Sequence, residues 1–350
     1  MPAEPPDRTR PDVCPGAIAV HQAADGGLAR VRVPGGTLSN AQLGTLLSAA
    51  VELGDGGLEL TSRANIQIRA LARGAEVELA DRLWQAGLLP SPSHERVRNV
   101  IASPLGDGQD LVNSIDQAIC AAPDLAALPG RFLITVDDGR GDVSGLGGDI
   151  GLHGDALLLA GQDTGLRSAD PVPLVLRAAR EFLAIRGEAW RVSEVPDGVQ
   201  RIADRLGPAG PARLDIPLPV PMPFGPAGNR IVAGVPLGRL SRQQARALCD
   251  LAPWVRLTPW RSVVVPAAAG LAAAGLITDP ESPWRGVTAC AGRPGCAKSL
   301  SDVRADAAAW VQTRTGAGSV HWSGCERRCG RPAGNVVEMT ATGDGYRRSE

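Results

Sequence analysis

An internal repeat sets the tightest limit on how this chain can fold. Val33-Pro34-Gly35-Gly36-Thr37-Leu38-Ser39 is matched by Val235-Pro236-Leu237-Gly238-Arg239-Leu240-Ser241. Each copy puts a Pro turn before a Ser suited to cap a helix, and an apolar-periodic run follows both. Both runs lead to a Thr ahead of a strand. The first copy reads Leu58-Glu59-Leu60-Thr61-Ser62-Arg63-Ala64-Asn65-Ile66-Gln67-Ile68, the second Val255-Arg256-Leu257-Thr258-Pro259-Trp260-Arg261-Ser262-Val263-Val264-Val265. A repeat of this kind predicts two related α+β halves facing each other. A shared Val-Pro turn without common descent is the alternative that pattern alone leaves open.

Local patterns fill in the elements. Strands are expected at 29–33, 58–60 and 66–68, with helices from Ser39 to about Leu53 and over 76–88. Further strands are expected at 97–101, 132–136 and 156–160, with helices at 111–120 and 171–185. Between 207 and 228 stand Pro208, Pro211, Pro217, Pro219, Pro221, Pro223 and Pro226, which exclude a helix and predict an extended linker. The predicted organisation is a loose tail at 1–13, a first half at 14–206, a linker at 207–229 and a second half at 230–350. The fold class is α+β: two pseudo-symmetric ferredoxin-like halves, the second ending in a metal-binding region.

Composition narrows the partners. With 36 basic residues against 37 acidic ones there is no net field to attract nucleic acid or anionic membrane. The apolar stretch 263–277 is short and broken by Pro266, and residues 1–12 lack an apolar core, so neither a membrane span nor a signal peptide is expected. These readings predict a cytoplasmic protein. Cys14, Cys120 and Cys249 are scattered, whereas the other four of seven cysteines fall in two pairs, Cys290/Cys296 and Cys325/Cys329. An odd, clustered set does not resemble a secreted disulfide framework and points to metal.

Five residues separate the first pair and three the second, which is not the spacing of a zinc knuckle. Four soft thiolates match the ligand count of a [4Fe-4S] cluster, and Gly292, Gly295 and Gly324 allow the backbone to fold closely around one. A helix predicted over 297–311 would point its N-terminal dipole at the cluster's negative charge. Four reduced structural cysteines, or zinc, are the competing readings.

The spacing Cys-x5-Cys then Cys-x3-Cys resembles the cluster motif of the sulfite and nitrite reductase superfamily, whose last cysteine also bridges to siroheme iron. Thr61-Ser62-Arg63-Ala64-Asn65-Ile66-Gln67 is similar to its Thr-x-Arg-x-x-x-Gln segment, and Arg98-Asn99-Val100 to its Arg-Asn-Val segment. The resemblance implies that Arg63, Arg98 and Arg131 pair with tetrapyrrole carboxylates, a task suited to the planar guanidinium fork. From Cys14-Pro15-Gly16 onward the chain most resembles the oxygen-dependent, cobalamin-pathway branch, the precorrin-3B synthases. Leu128-Pro129-Gly130-Arg131-Phe132 and Asp137-Asp138-Gly139 carry that likeness, as do the two cysteine segments.

One departure separates the branches. Where sulfite reductases present a Lys-x-Lys pair, this chain has Arg131-Phe132-Leu133, and its single lysine, Lys298, lies beside the cysteines. An apolar Leu133 removes a donor for an oxyanion substrate. The implied reaction is therefore a monooxygenation: dioxygen hydroxylates precorrin-3A at C20, and a ring-A acetate closes a γ-lactone. The implied partners are the tetrapyrrole, dioxygen and an NADH-linked or ferredoxin-type electron donor. That branch is also associated with a mononuclear non-haem iron, for which His153 and Asp155 offer a His-x-Asp pair. Asn65 and Gln67 are the candidate catalytic polar groups. The rival readings are a siroheme-dependent sulfite or nitrite reductase and an iron–sulfur electron-transfer protein.

Overall fold

A computed structural model describes residues 12–208, 210, 214–316, 318–332 and 334–349. The predicted tail thus lies outside the described residues except for Asp12 and Val13. The first unit contains β1 (His21–Ala23), β2 (Gly26–Val31), β3 (Thr37–Ser39), α1 (Asn40–Leu53), β4 (Leu58–Leu60), β5 (Ile66–Leu71) and α2 (Ala75–Gln85). A lobe of β6 (Val100–Ala102), α3 (Gln109–Cys120), β7 (Ile134–Asp137), β8 (Ile150–His153), β9 (Ala156–Leu159), β10 (Gln162–Arg167), α4 (Pro171–Ile185) and α5 (Gly198–Leu206) follows. The second unit is β11 (Gly225–Ala227), β12 (Arg230–Gly234), β13 (Arg239–Leu240), α6 (Arg242–Leu251), β14 (Trp254–Leu257) and β15 (Ser262–Pro266). A last lobe holds β16 (Val287–Ala289), α7 (Val303–Val311), β17 (Val320–Ser323), β18 (Val337–Thr342) and β19 (Gly345–Ser349).

The repeat seen in sequence is repeated in backbone detail. Ser39 Oγ accepts from Gln42 N and Gln42 returns a bond to Ser39 N; Ser241 and Gln244 do the same at α6. Ala64 and Arg261 hold equivalent left-handed conformations, φ 53° and 58°, at the turns entering β5 and β15. In each turn the threonine amide donates to the residue that opens the next strand, Thr61 to Asn65 and Thr258 to Ser262, both at 3.0 Å.

The two units exchange strands. β3 leaves the first unit and pairs with β14 of the second, setting Leu38 opposite Val255. β13 leaves the second and pairs with β4, setting Leu240 opposite Leu58. The sheets are therefore β1-β2-β5-β4-β13 and β11-β12-β15-β14-β3. All four of those side chains are completely buried in one core with Leu43, Leu46, Ile66, Ile68, Leu248 and Val263. Each such side chain contributes about 2 kcal/mol through removal of apolar surface from water. The two halves thus share one core, and further cores lie within 97–206 and 287–346.

The two lobes also correspond. In one, β6, β7 and β8 run parallel and β9 returns antiparallel; in the other, β16, β17 and β18 run parallel and β19 returns antiparallel. The cysteine loops leave the carboxyl ends of β16 and β17, where open parallel sheets present their ligand sites.

Several elements differ from the sequence reading. The helix expected over 297–311 begins only at Val303, because Asp302 accepts from Ala305 N and the preceding Ser299 Oγ turns back to Ser301 O. Its N-terminus therefore does not open at Cys296. β8 and β10 and α5 were not expected: β8 holds Gly151 against Thr135 and Leu158, where a side chain has no room, so its period-2 signal is weak. The end of the linker forms β11. Among the described residues no helix is long and apolar enough to cross a membrane.

Strand exchange leads to a prediction about fragments. A polypeptide of residues 214–350 expressed alone will lack the β3 partner of β14 and half of the shared core. It should show no cooperative unfolding transition by circular dichroism, and adding a fragment of residues 1–213 should restore one.

Candidate functional site: cysteine loops and a buried arginine group

The four paired cysteines lie near enough for three of them to act electrostatically on the fourth. Burial raises the Cys329 thiol above its ordinary range, and Cys290, Cys325 and Cys296 each push it further up. A Cys329 thiol whose ionisation its three neighbours oppose is suited to a cationic metal centre that offsets the charge. Gly324 N points at Cys290 Sγ, 3.2 Å away, the amide-to-sulfur bond by which a backbone supports a thiolate ligand. Glycine is required at two positions. A Cβ on Gly292, whose φ is 69°, would lie 2.8 Å from Val303 Cγ2, and one on Gly324 would collide with Ser299 Oγ. Among the described residues, no three His, Cys, Asp or Glu side chains close on one ion-sized position. Four soft thiolates are a donor set of the kind that suits an iron–sulfur cluster.

Behind these loops His321, on β17, is fully buried with Nδ1 2.9 Å from Thr288 Oγ1. Burial, with a smaller contribution from Arg261, holds its pKa down to about 4.

A second site is made of arginines. Arg30 and Arg32 stand on one face of the strand whose other face sends Ala29, Val31 and Val33 into the core. Arg30 lies opposite Gln67 in the ladder, and the Gln67 amide oxygen accepts from Arg30 Nη2 at 2.6 Å and Nε at 3.1 Å. Arg32 is 2% exposed; its Nε donates to Arg96 O at 3.2 Å, but neither Nη has a partner among the described residues. Burial, reinforced by Arg30 and Arg63, brings Arg32 down to about 9. Arg63, in the turn entering β5, reaches Gly130 O at 3.5 Å and is lowered to about 10 by burial and by Arg191. Arg131 lies 5.0 Å over the Trp190 ring. Arg191 donates to Asp149 at 2.7 Å, and Asp149 also accepts from Leu133 N and Val192 N. A buried guanidinium with both Nη groups unpaired, crowded by like charges, is a receptor for an anion, because leaving it unpaired is costly.

The predicted residues fall differently. Arg63 and Arg131 belong to this group. Arg98 does not: its fork is engaged by Asp116 at 2.8 and 2.7 Å and its Nη1 by Leu88 O. Asn65 is a scaffold residue, accepting from Val33 N and donating to Asn99, so both of its polar ends are occupied. Gln67 acts on Arg30 and not on an open space. His153 and Asp155 do not form an iron-ligand pair: the imidazole Nδ1 lies 2.9 Å from Ser144 Oγ, whereas Asp155 is 70% exposed and faces Arg167. Sequence reading missed Arg30, Arg32 and Arg191. The signal for the first two was Arg30-Val31-Arg32 within an alternating strand.

Residues 21–84 match the nitrite/sulfite reductase ferredoxin-like half domain. A ferredoxin–nitrite reductase from Synechococcus elongatus is 26% identical, covering 87% of this chain and 74% of that protein. A precorrin-3B synthase from a Sinorhizobium species is 24% identical and covers 96% of this chain and 82% of its own. Over most of its length the chain is thus similar to a nitrite reductase and to a precorrin-3B synthase, and its residues 21–84 to a nitrite/sulfite reductase half domain. Its fold is that of the NirA protein of Mycobacterium tuberculosis, with a TM-score of 0.73 at 22% identity over 92% of this chain and 73% of NirA. Like those relatives, the chain is an oxidoreductase.

The site's electrostatics lead to three expected outcomes. Arg32→Met should leave the ligand-free protein at least as stable in urea titrations while weakening a polycarboxylate tetrapyrrole at least about tenfold by fluorescence quenching. Arg98→Met should instead cost about 3 kcal/mol, because Asp116 loses its partner. For His321, the folded pKa near 4 lies below the unfolded 6.5, so the unfolded chain takes up a proton first. The contribution to stability is complete above 6.5 and is lost as pH falls towards 4. Metal-free protein should lose about 2 kcal/mol between pH 7 and 5 from this group, a slope that His321→Asn removes.

Proposed function

We propose that this chain is an oxygen-dependent precorrin-3B synthase that converts precorrin-3A to precorrin-3B with a 4Fe-4S cluster on Cys290, Cys296, Cys325 and Cys329. The observation that carries the reading is the combination of an anion-seeking arginine group with an apolar Leu133. Leu133 is 4% exposed and packs with Ile101 and Val143, so its position offers no cation to a small oxyanion. A substrate bearing many carboxylates finds counter-charges in Arg30, Arg32, Arg63 and Arg131, and the reacting carbon needs none. The relative that spans nearly all of this chain carries the same name.

Each of the chain's groups then has a physical task. Arg32 is already desolvated, so a carboxylate that reaches it gains a charge-assisted pair without further stripping of the guanidinium. Arg30 is held in line by Gln67 and Arg63 by the turn at Ala64, which fixes two more donors and so the orientation of the macrocycle. Arg131, on the Trp190 ring, stands at the accessible edge, suited to an outer carboxylate. Asp149 fixes Leu133 through its amide, keeping that wall apolar. The cluster, when bound, supplies single electrons. Reducing equivalents come from a separate donor, and dioxygen is the second substrate.

Anaerobically purified protein should contain about four iron and four sulfide per chain. Incubated with precorrin-3A, it should give a product heavier by one oxygen atom, and only when dioxygen is present. Tightly bound siroheme with sulfite- or nitrite-dependent electron consumption would overturn the proposal in favour of a reductase. A cluster without tetrapyrrole binding would reduce the chain to an electron carrier.

A further inference from the structure

The two copies of the repeat are alike in backbone but differ in one side chain that faces the cysteines. The left-handed residue of the turn is Ala64 in the first copy and Arg261 in the second. Room for Arg261 is left by the repeat glycine Gly238, where a Cβ would come within 2.6 Å of Arg261 Cδ. From there Arg261 Nη2 donates to Gly330 O at 3.3 Å, the residue after Cys329. The other cysteine loop is held in the same way from the first unit. Arg69, on β5 and 6% exposed, locks both nitrogens of its fork on Asp25 at 3.0 Å and donates from Nη2 to Gly295 O at 2.6 Å, the residue before Cys296.

Glu59 stands between these arginines. Its Oε1 is 2.7 Å from Arg304 Nη2 and 3.9 Å from Arg69 Nε, and its charge acts on Arg261 against the push of Arg304. Three guanidinium groups thus face two carboxylates, Asp25 and Glu59, under loops that carry four cysteines. None of these residues contacts the arginine group around Arg32 in the hydrogen bonds described, so anion binding there does not account for them.

We propose that Arg69 and Arg261 are positioning residues that hold the two cysteine loops and set the electron affinity of the cluster, with Glu59 as the opposing charge. This rests on the iron–sulfur reading of the four cysteines. A cluster held by four thiolates gains negative charge on reduction, and fixed positive charge in a region of low dielectric favours that state. Placing one clamp on each cysteine loop, from opposite units of the shared core, ties the separation of the loops to the core itself.

The test is a redox titration of the anaerobically purified protein, followed by electron paramagnetic resonance. Arg261→Ala installs the residue that the first copy already holds in the same backbone conformation, so the turn is preserved. It should keep its iron and sulfide and lower the equilibrium constant for reduction about tenfold, a fall of about 59 mV for one electron. Arg69→Gln should shift the same way, Arg261→Lys should recover most of the difference, and Glu59→Gln should move the potential upward. Unchanged potentials in cluster-loaded Arg261→Ala and Glu59→Gln would overturn the proposal while leaving the iron–sulfur reading intact. Wild-type protein that carries no iron and sulfide would overturn both. If Arg261→Ala folds by circular dichroism but loses its cluster, the sign of the Glu59→Gln shift decides.

Discussion

The structure depends on the pairing of each unit's short connecting strand with the sheet of the other unit. β3 and β13 contribute few hydrogen bonds, but they carry Leu38 and Leu240 into a core that belongs to neither unit alone. Backbone groups at these edges have no other partner, and the apolar side chains have no other shelter, so both requirements are met only when the units come together. The lobes at 97–206 and 287–346 hang from this framework, and the strand ends of the second fix where the cysteine loops emerge.

The same sheet that closes the core with one face organises charge with the other. On β2, β4 and β5 the residues Ala29, Val31, Leu58, Leu60, Ile66 and Ile68 point inward, while Arg30, Glu59, Gln67 and Arg69 point outward, with Arg30, Gln67 and Glu59 in register across three strands. Period-two alternation places all of them on one surface. One end of that surface leads to Arg32 and Arg63, the other to Arg69 and the loop at Gly295. The proposed substrate recognition and the proposed support of the cysteines therefore sit at two ends of one polar sheet face.

This explains what could be read in advance. The repeat, the capping serines and most strands were legible because turn chemistry and alternation are local. The four cysteines stood out by spacing, and Arg63 and Arg131 by resemblance; their ligand roles belong to the proposal. Arg98 was misread because Asp116 lies a helix away in sequence, and nothing local shows that the two side chains will meet. Asn65 was misread for the same reason, since Val33 and Asn99 become its neighbours only in the fold. The strand exchange between the two halves was not legible because it is a long-range pairing: β3 reads as an ordinary strand until its partner is known. The helix after Cys296 was placed too early because Asp302 competes as a cap.

The exchanged strands also remove any hinge. A protein whose two units met across a flat interface could open and close around its substrate, but here separation would break ladder hydrogen bonds in both sheets at once. Entry of a large macrocycle is left to segments outside the core. The chain leading out of α5 is one of them: Pro217 and Pro219 lie against the loop at Gly141 and Gly145, and Leu214 N is fastened to Asp163 at 2.7 Å. The shared core itself thus offers no joint about which the two units could swing apart.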